Sequence, residues 1–262
     1  MPNWLRELDD LLRGRKSRPE LLAEGTGHLR LGPHAGMAVL LGMIYGLAMA
    51  LYSVLNRTPP AYEQLLASAL KVPALFFLTL LVSFPSLYVF SALTDAQLSP
   101  LAALRVMVSA VVVSLAVLAS LAPITVFFTL TTSSYPFMKL LNVFFFAAAA
   151  FVGLGFLLNM LRQLDQAQAL GAKPQAPRAE EVTTGRRVPA GADPPPLNKA
   201  AKGTGRTLFQ AWLVVYALVG AQMAWVLRPF IGAPKLPFEW FRPRGGNVFT
   251  DVLRSIGELL TQ

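Results

Sequence analysis

The sequence contains no cysteine and only two histidines. The absence of cysteine excludes disulfides, thiolate metal sites, thiol nucleophiles and haem attachment through thioether bonds. His28 and His34 are six residues apart, off the helical spacing for a shared metal, so we interpret both as ordinary interfacial residues. The sequence has no Walker loop and no G-x-G-x-x-G, G-x-S-x-G or H-E-x-x-H motif. We therefore expect no metal, no cofactor and no enzymatic activity.

Charge is missing from nearly half of the chain. About 20 helical residues suffice to cross a bilayer, and five charge-free stretches reach that length: 31–56, 72–94, 106–138, 140–161 and 207–227. None of them holds an Asp or Glu, which argues against a proton-coupled transporter or a cation pump. Hydrophobic residues make up 54% and charged residues 14% of the chain, whereas ordinary soluble domains carry roughly 25% charge. The sequence predicts an all-α, polytopic integral membrane protein with five transmembrane helices and amphipathic N-terminal and C-terminal segments.

The charge-free stretches also predict the boundaries of the parts. We expect the second span to begin at Pro73, where the missing N–H is harmless, and residues 57–71 to form a loop. The third stretch is long enough to span once and then continue as a polar turn over 129–135. The predicted parts are a cytoplasmic amphipathic and basic segment at 1–30, a four-helix transmembrane block at 31–161, a disordered Pro- and Ala-rich linker at 162–205, a fifth transmembrane helix at 206–229, and an aromatic and basic tail with an amphipathic helix at 230–262.

The distribution of Lys and Arg predicts the orientation. With a cytoplasmic N-terminus, five spans place 15 of these residues inside and 8 outside. Residues 1–30 have no apolar h-region, so we expect the first span to be retained rather than cleaved. A half-inserted segment in the basic tail would change this topology. The Ala- and Arg-rich composition suggests a bacterial inner membrane, and the net charge of +9 suits contact with anionic lipid. The basic residues are dispersed and no nucleic-acid motif accompanies them, so we expect no nucleic acid partner.

Small residues recur at four-residue spacing within three of the spans. Such spacing lets helices approach closely. Packing within one chain, which we favour, and dimerisation both use this spacing. The predicted helix-packing residues are Gly42, Gly46, Ala50, Ala149, Gly153, Gly220 and Ala224.

Prolines and hydroxyls within the spans suggest a second function. Proline frees a carbonyl and kinks a helix, and broken helices can line a transport site. Proline is nonetheless common in membrane helices, and the hydroxyl run at 129–135 is also typical of a turn. The residues of this possible path are Pro85, Pro123, Thr129, Ser133 and Ser134.

Both ends of the chain carry candidate interface residues. Residues 3–13 place their apolar side chains on one helical face, which predicts a helix that lies on the membrane, packs on the protein itself or docks a partner. The tail interleaves aromatic and basic residues, which favours either an interfacial anchor or a docking surface. The residues we expect at these interfaces are Trp4, Leu8, Arg228, Phe238, Trp240 and Phe241.

The number of spans and the cytoplasmic N-terminal segment together resemble the Yip family of small membrane proteins, which have five spans and serve in membrane organisation or trafficking. The likeness covers the architecture alone, and the long insertion at 163–205 departs from that family's compact domain. Two functions follow from the residues. The first is a structural or assembly component that binds lipid, partner membrane proteins or copies of itself. The alternative is a channel or transporter subunit with its path near Pro85, Pro123 and the 129–135 hydroxyls.

Overall fold

The computed structural model describes residues 3–23, 26–58, 60–93, 100–171, 199–232, 237–241 and 248–261. Within these ranges the regular elements are all helical, in agreement with the predicted class. Two short 3₁₀ turns, at Arg15–Ser17 and Thr26–His28, connect the first helices. The α-helices are α1 (Asn3–Leu12), α2 (Pro19–Ala23), α3 (Leu31–Leu55), α4 (Glu63–Leu93), α5 (Pro100–Thr131), α6 (Tyr135–Gly171), α7 (Lys199–Leu227) and α8 (Val248–Leu260).

The long helices form one bundle in which α3 is central. α3 packs between α4 and α5, α6 packs on α5, and α7 packs on α4. We call the end of the bundle where α3 begins the near side and the end where α3 finishes the far side. The N-terminal helices lie on the near side, where α2 contacts α6, and α8 packs on α6 at the far side.

Four of the described helices are long and apolar enough to cross a membrane. Their apolar ranges are Leu31–Leu55, Glu63–Ser86, Pro100–Thr131 and Tyr135–Leu164. The described apolar part of α7 is shorter, Trp212–Leu227. Backbone N–H and C=O groups in lipid must be paired internally, and these helices pair them within each segment. The chain is therefore a helical membrane protein.

The second span begins earlier than predicted. We expected a loop over 57–71 and a helix start at Pro73, but α4 begins at Glu63 and Pro73 lies well inside it. The ring of Pro73 packs on α3 at Gly42, where an added Cβ would lie 3.0 Å from the Cβ of Pro73. Proline in a helix interior removes one backbone hydrogen bond. The missing side chain at Gly42 lets this contact form.

The turn between the third and fourth spans is shorter than the predicted polar turn over 129–135. α5 continues to Thr131 and α6 begins at Tyr135, so only residues 132–134 lie outside a helix. The backbone N–H of Ser134 donates to Thr132 Oγ1 at 3.2 Å. From α3, the Tyr52 hydroxyl donates to the Ser133 carbonyl at 2.6 Å. This turn is therefore held both locally and by the central helix.

The ends of the predicted linker are helical. α6 continues to Gly171 and α7 begins at Lys199, whereas we predicted a disordered segment over 162–205. Leu164 and Ala167 are buried in the core, and α2 packs on α6 with Leu22 also buried. This packing explains why α6 extends beyond the charge-free stretch. Residues 172–198 lie outside the described part of the chain.

Candidate functional site

A cluster of buried polar side chains on α4 holds the segment that follows α7. We call this segment, Arg228–Gly232, the strap. Gln64 Nε2 donates to the carbonyl oxygens of Pro229 at 3.2 Å and Phe230 at 2.8 Å. Ser68 Oγ also donates to the Phe230 carbonyl. A strap without helical hydrogen bonds is thus paired by side chains of α4, which meets the requirement that buried backbone groups be satisfied.

Lys71 extends this cluster deeper along α4. Its side chain is 3% exposed, and Nζ donates to the Pro229 carbonyl at 3.1 Å and to the Trp240 carbonyl. The same Nζ lies 5.1 Å from the ring centre of Phe241 and 6.0 Å from that of Trp240. Carbonyl dipoles and aromatic faces both stabilise a desolvated ammonium group. An ionisable side chain within a span is uncommon, which makes Lys71 a candidate functional residue.

The strap also contacts the central helix. Gly232 adopts φ +78°, a left-handed conformation that favours glycine, and a Cβ there would lie 2.7 Å from Ser53 Oγ. Ser53 is buried, and among the described residues its hydroxyl has no hydrogen-bond partner. Nearby, the Phe230 ring lies 6.2 Å from that of Phe146, which contacts Tyr45 edge-on at 5.7 Å. The strap therefore lies against α3, α4 and α6 together.

α7 is attached to α4 at two places. From the middle of α7, Trp212 Nε1 donates to Ser86 Oγ at 2.9 Å, and after its end the strap pairs with Gln64. Trp212 and Leu227, the last residue of α7, are 15 residues apart, which corresponds to about 23 Å of helix at 1.5 Å per residue. The second half of α7 is therefore held along α4.

The first predicted helix-packing ladder contacts α4 of the same chain. Gly42 faces Pro73, as described above. A Cβ at Gly46 would lie 2.8 Å from the carbonyl carbon of Ser68 and 2.9 Å from Cα of Ala69. These are backbone atoms, so no side-chain rotation would relieve the overlap. α3 and α4 approach closely because both positions are glycine.

The other predicted ladders also lie at contacts within the chain. A Cβ at Gly153 of α6 would overlap Ser114 Oγ and approach the Ala110 carbonyl oxygen of α5 at 3.1 Å. A Cβ at Gly220 of α7 would lie 3.5 Å from the Thr79 side chain of α4. The alanines of the set are buried or half-buried: Ala50, Ala149 and Ala224.

The residues of the possible path lie in three separate places. Pro85 is exposed on α4, and Pro123 lines an apolar groove on α5. Thr129 is buried and its hydroxyl donates to a carbonyl one turn earlier at 2.9 Å. Ser133 and Ser134 belong to the turn between α5 and α6. The structure does not bring these five residues together.

The N-terminal helix is partly packed on the protein. Leu11 is fully buried and Leu8 packs on the core, whereas Trp4 is 39% exposed. Lys16 Nζ forms an ion pair with Glu7 Oε1 at 2.9 Å. The hydrogen bond from Lys16 lowers the pKa of the Glu7 carboxyl, and burial opposes this shift. Leu8 therefore packs on the protein itself, as one of the three interpretations of this helix expects, and Trp4 stays exposed where it can contact the membrane.

The predicted tail residues contact one another and α4. The rings of Phe238 and Trp240 meet edge-on at 5.9 Å. Arg228 lies 3.4 Å above the ring centre of Trp225. Trp240 is 45% and Phe241 59% exposed, although both lie near Lys71 as described. These aromatic rings thus cover Lys71 from one side and remain accessible from the other.

The last helix presents an apolar stripe outside the bundle. α8 is held on α6 by an ion pair between Lys139 and Asp251, and Ser255 is buried at the contact. Large apolar side chains at four-, three- and four-residue spacing lie on a different face and are 41–82% exposed: Phe249, Leu253, Ile256 and Leu260. The stripe is therefore available to lipid or to another protein.

The α4 cluster was missed because Lys71 was assigned to a loop. Gln64, Ser68 and Lys71 are spaced i, i+4 and i+7, the spacing of one helical face. This periodic polar face, next to an apolar stretch, was the signal that could have found the cluster. The partner of the face is the strap, more than 150 residues later, and no local pattern indicates that pairing.

The class of protein is therefore defined by its helices: a helical membrane protein in which the strap after α7 is held by a polar cluster on α4. No protein-family model, curated protein or solved structure matches the chain.

Proposed function

We propose that this protein is a non-enzymatic structural or assembly component of a membrane. Its exposed apolar surfaces bind lipid, a partner membrane protein or a second copy of the chain. The observation that carries the proposal is the α8 stripe, in which four large apolar side chains are exposed on a helix fixed to the bundle by Lys139 and Asp251. An amphipathic helix of this kind places its apolar side in the membrane interface or against another protein.

The use of the polar groups within the spans supports a structural role. Thr79 and Ser83 donate to carbonyls four residues earlier, and the Tyr45 hydroxyl donates to Asn142 Oδ1 at 2.7 Å. Asn142 in turn donates to the Met138 carbonyl at 2.7 Å. The bond between Tyr45 and Asn142 joins α3 to α6, and interhelical bonds of this type contribute about 1 kcal/mol to helix association. The hydroxyls of Thr79 and Ser83 are already paired within α4. This use of the polar groups favours an assembly component over a transport path.

The proposal includes five spans, a cytoplasmic N-terminus and a bacterial inner membrane. The packing of α7 along α4 and the excess of Lys and Arg on the near side support this arrangement. A five-span Yip-like architecture is part of the same proposal. Fusions of a fluorescent protein and of alkaline phosphatase to each terminus test it. We expect fluorescence at the N-terminus and phosphatase activity at the C-terminus, and the same signal at both ends would contradict five spans.

A photo-crosslinking experiment tests the role of α8. A benzoylphenylalanine placed at Leu253 lies in the stripe, whereas the same residue at Glu258 lies on the polar side of α8, where Glu258 pairs with Arg254. Both positions are exposed, so they form a matched pair. We expect crosslinks in intact membranes from position 253, to a protein or a lipid, and few from position 258.

Gentle purification then identifies the partner. The detergent-solubilised particle is weighed with and without Leu253→Gln, and Glu258→Gln serves as the control. A mass larger than the monomer that falls to the monomer in Leu253→Gln alone supports an assembly function. Equal crosslinking from both positions, with a monomer of unchanged mass in every variant, would refute it.

A further inference from the structure

An apolar groove opens on the surface of the bundle between α3, α5 and the start of α4. Its volume is about 610 Å³, and it is open to the surroundings along its length. The floor contains small residues, and larger aliphatic side chains form the walls. The lining residues used below are Ala48, Leu51, Leu65, Ala119, Pro123 and Val126.

The groove lies within the spans and follows their axes. On α3 it runs from Ile44 to Leu51, and on α5 from Ala119 to Val126. Seven residues on each helix correspond to about 10 Å at 1.5 Å per residue. Both helices are among those able to cross a membrane. The groove therefore faces the hydrocarbon region, where its occupant is either a lipid chain or another helix.

The shape of the groove suits a lipid chain. It is shallow and open along one side, and its lining is almost entirely apolar. A hydrocarbon chain is a single file of methylene groups and can lie on the alanine floor, where dispersion contacts hold it.

The far end of the groove carries residues suited to a headgroup. Leu55, 52% exposed, continues the α3 wall one turn beyond Leu51, and Arg57 follows two residues later. Tyr62, 66% exposed, precedes Leu65 by three residues. Arginine pairs with phosphate oxygens, and tyrosine favours the membrane interface. Charge at this end complements a phosphate group.

We infer that this groove is a binding site for an anionic phospholipid, with an acyl chain along α3 and α5 and the phosphate beside Arg57. The inference depends on the spans α3, α4 and α5 and not on the proposed role of α8. A protein whose α8 binds nothing can still hold this lipid, and a protein whose groove is empty can still bind a partner through α8. Failure of one proposal therefore does not imply failure of the other.

Native mass spectrometry of the full-length protein tests the site. The probes are phosphatidylglycerol and phosphatidylcholine with identical acyl chains, added to the delipidated protein in detergent. Ala119→Phe fills the groove, and Ala150→Phe places the same side chain on the exposed face of α6 as the control. Arg57→Gln removes the headgroup charge, and Arg254→Gln, at an 80% exposed position, removes a charge elsewhere.

We expect phosphatidylglycerol to bind the unaltered protein and Ala150→Phe equally. Ala119→Phe should lower this occupancy about fivefold, a small loss of packing. Arg57→Gln should remove the preference for phosphatidylglycerol over phosphatidylcholine, again about fivefold, while Arg254→Gln keeps it. Equal lipid occupancy in Ala119→Phe and Ala150→Phe would refute the groove. A preference that survives Arg57→Gln would refute the headgroup position. A dimer that Ala119→Phe abolishes would assign the groove to a second copy and overturn the inference.

Discussion

The contact between Gly46 and α4 makes the substitution Gly46→Ala informative. The new Cβ would lie 2.8 Å from the Ser68 carbonyl carbon and 2.9 Å from Cα of Ala69, whereas ordinary contact begins near 3.4 Å. The two helices must separate by at least ~0.6 Å at this point. Because the opposing atoms are backbone, a rotamer change cannot supply this distance. Overpacking of this kind costs typically 1–3 kcal/mol.

Gly36 provides a matched control on the same helix. It is exposed, and a Cβ there would meet no atom within 4 Å. Gly36→Ala therefore changes helix propensity alone, which favours Ala by up to about 1 kcal/mol. We expect Gly46→Ala to be destabilised by about 2 kcal/mol, which lowers the apparent Tm by about 4–8 °C for a chain of this size. Gly36→Ala should leave the apparent Tm unchanged or raise it.

Thermal unfolding of the purified protein in detergent, followed by size-exclusion fluorescence, measures both variants. Equal Tm values for the two alanine variants would show that α3 and α4 do not meet at Gly46. A Gly46→Ala protein that keeps its Tm but loses an oligomer would place the small-residue face between chains, against the packing within one chain argued here.

Three further predictions concern the two ends of the bundle. The hydrogen bond from Lys16 lowers the pKa of Glu7. The ion pair therefore stabilises the fold fully above the ordinary carboxyl pKa of about 4.3, and this stability is lost as the pH falls through the lower pKa of the folded state. Protease accessibility of the N-terminal helix should rise in that acid range, and Lys16→Met should abolish this pH-dependent rise. Gly232→Ala should loosen the strap, since a left-handed conformation costs an L-residue about 1–2 kcal/mol and the Cβ meets Ser53; faster tail proteolysis would show it, and an unchanged rate would count against the strap contact. Trp212→Phe should lower stability by about 1 kcal/mol through loss of the bond to a serine of α4, and a Tm equal to that of the unaltered protein would mean that this bond contributes nothing.

Charge-free stretches located the spans well where the charges lie in water. α3 begins at Leu31, and the α5–α6 turn falls in the middle of the hydroxyl run, at 132–134. Charges do not mark the ends of the other helices: Arg105 lies inside α5 and Lys139 inside α6. The largest difference is at α4, where Lys71 is charged and yet buried inside the helix. Its position depends on carbonyls of Pro229 and Trp240, which only the folded chain brings near.

Proline was misread for a related reason. From sequence, Pro73 indicates a helix start because the first turn needs no N–H there. In the bundle, the ring packs on Gly42 of another helix. The same limit applies to the candidate site: the spacing of Gln64, Ser68 and Lys71 is visible in the sequence, but their partner is not.

The strap has a consequence for biosynthesis. Helices enter the membrane in chain order, so α3 to α6 are made before the segment that pairs with α4. Until Pro229 and Phe230 arrive, Gln64 and Ser68 face the interior of an incomplete bundle without those carbonyls. The last part of the chain to be translated thus completes the burial of the polar face. A chain that stops after α6 would leave these buried polar groups without their carbonyl partners, at a cost of about 1–3 kcal/mol for each group left unpaired.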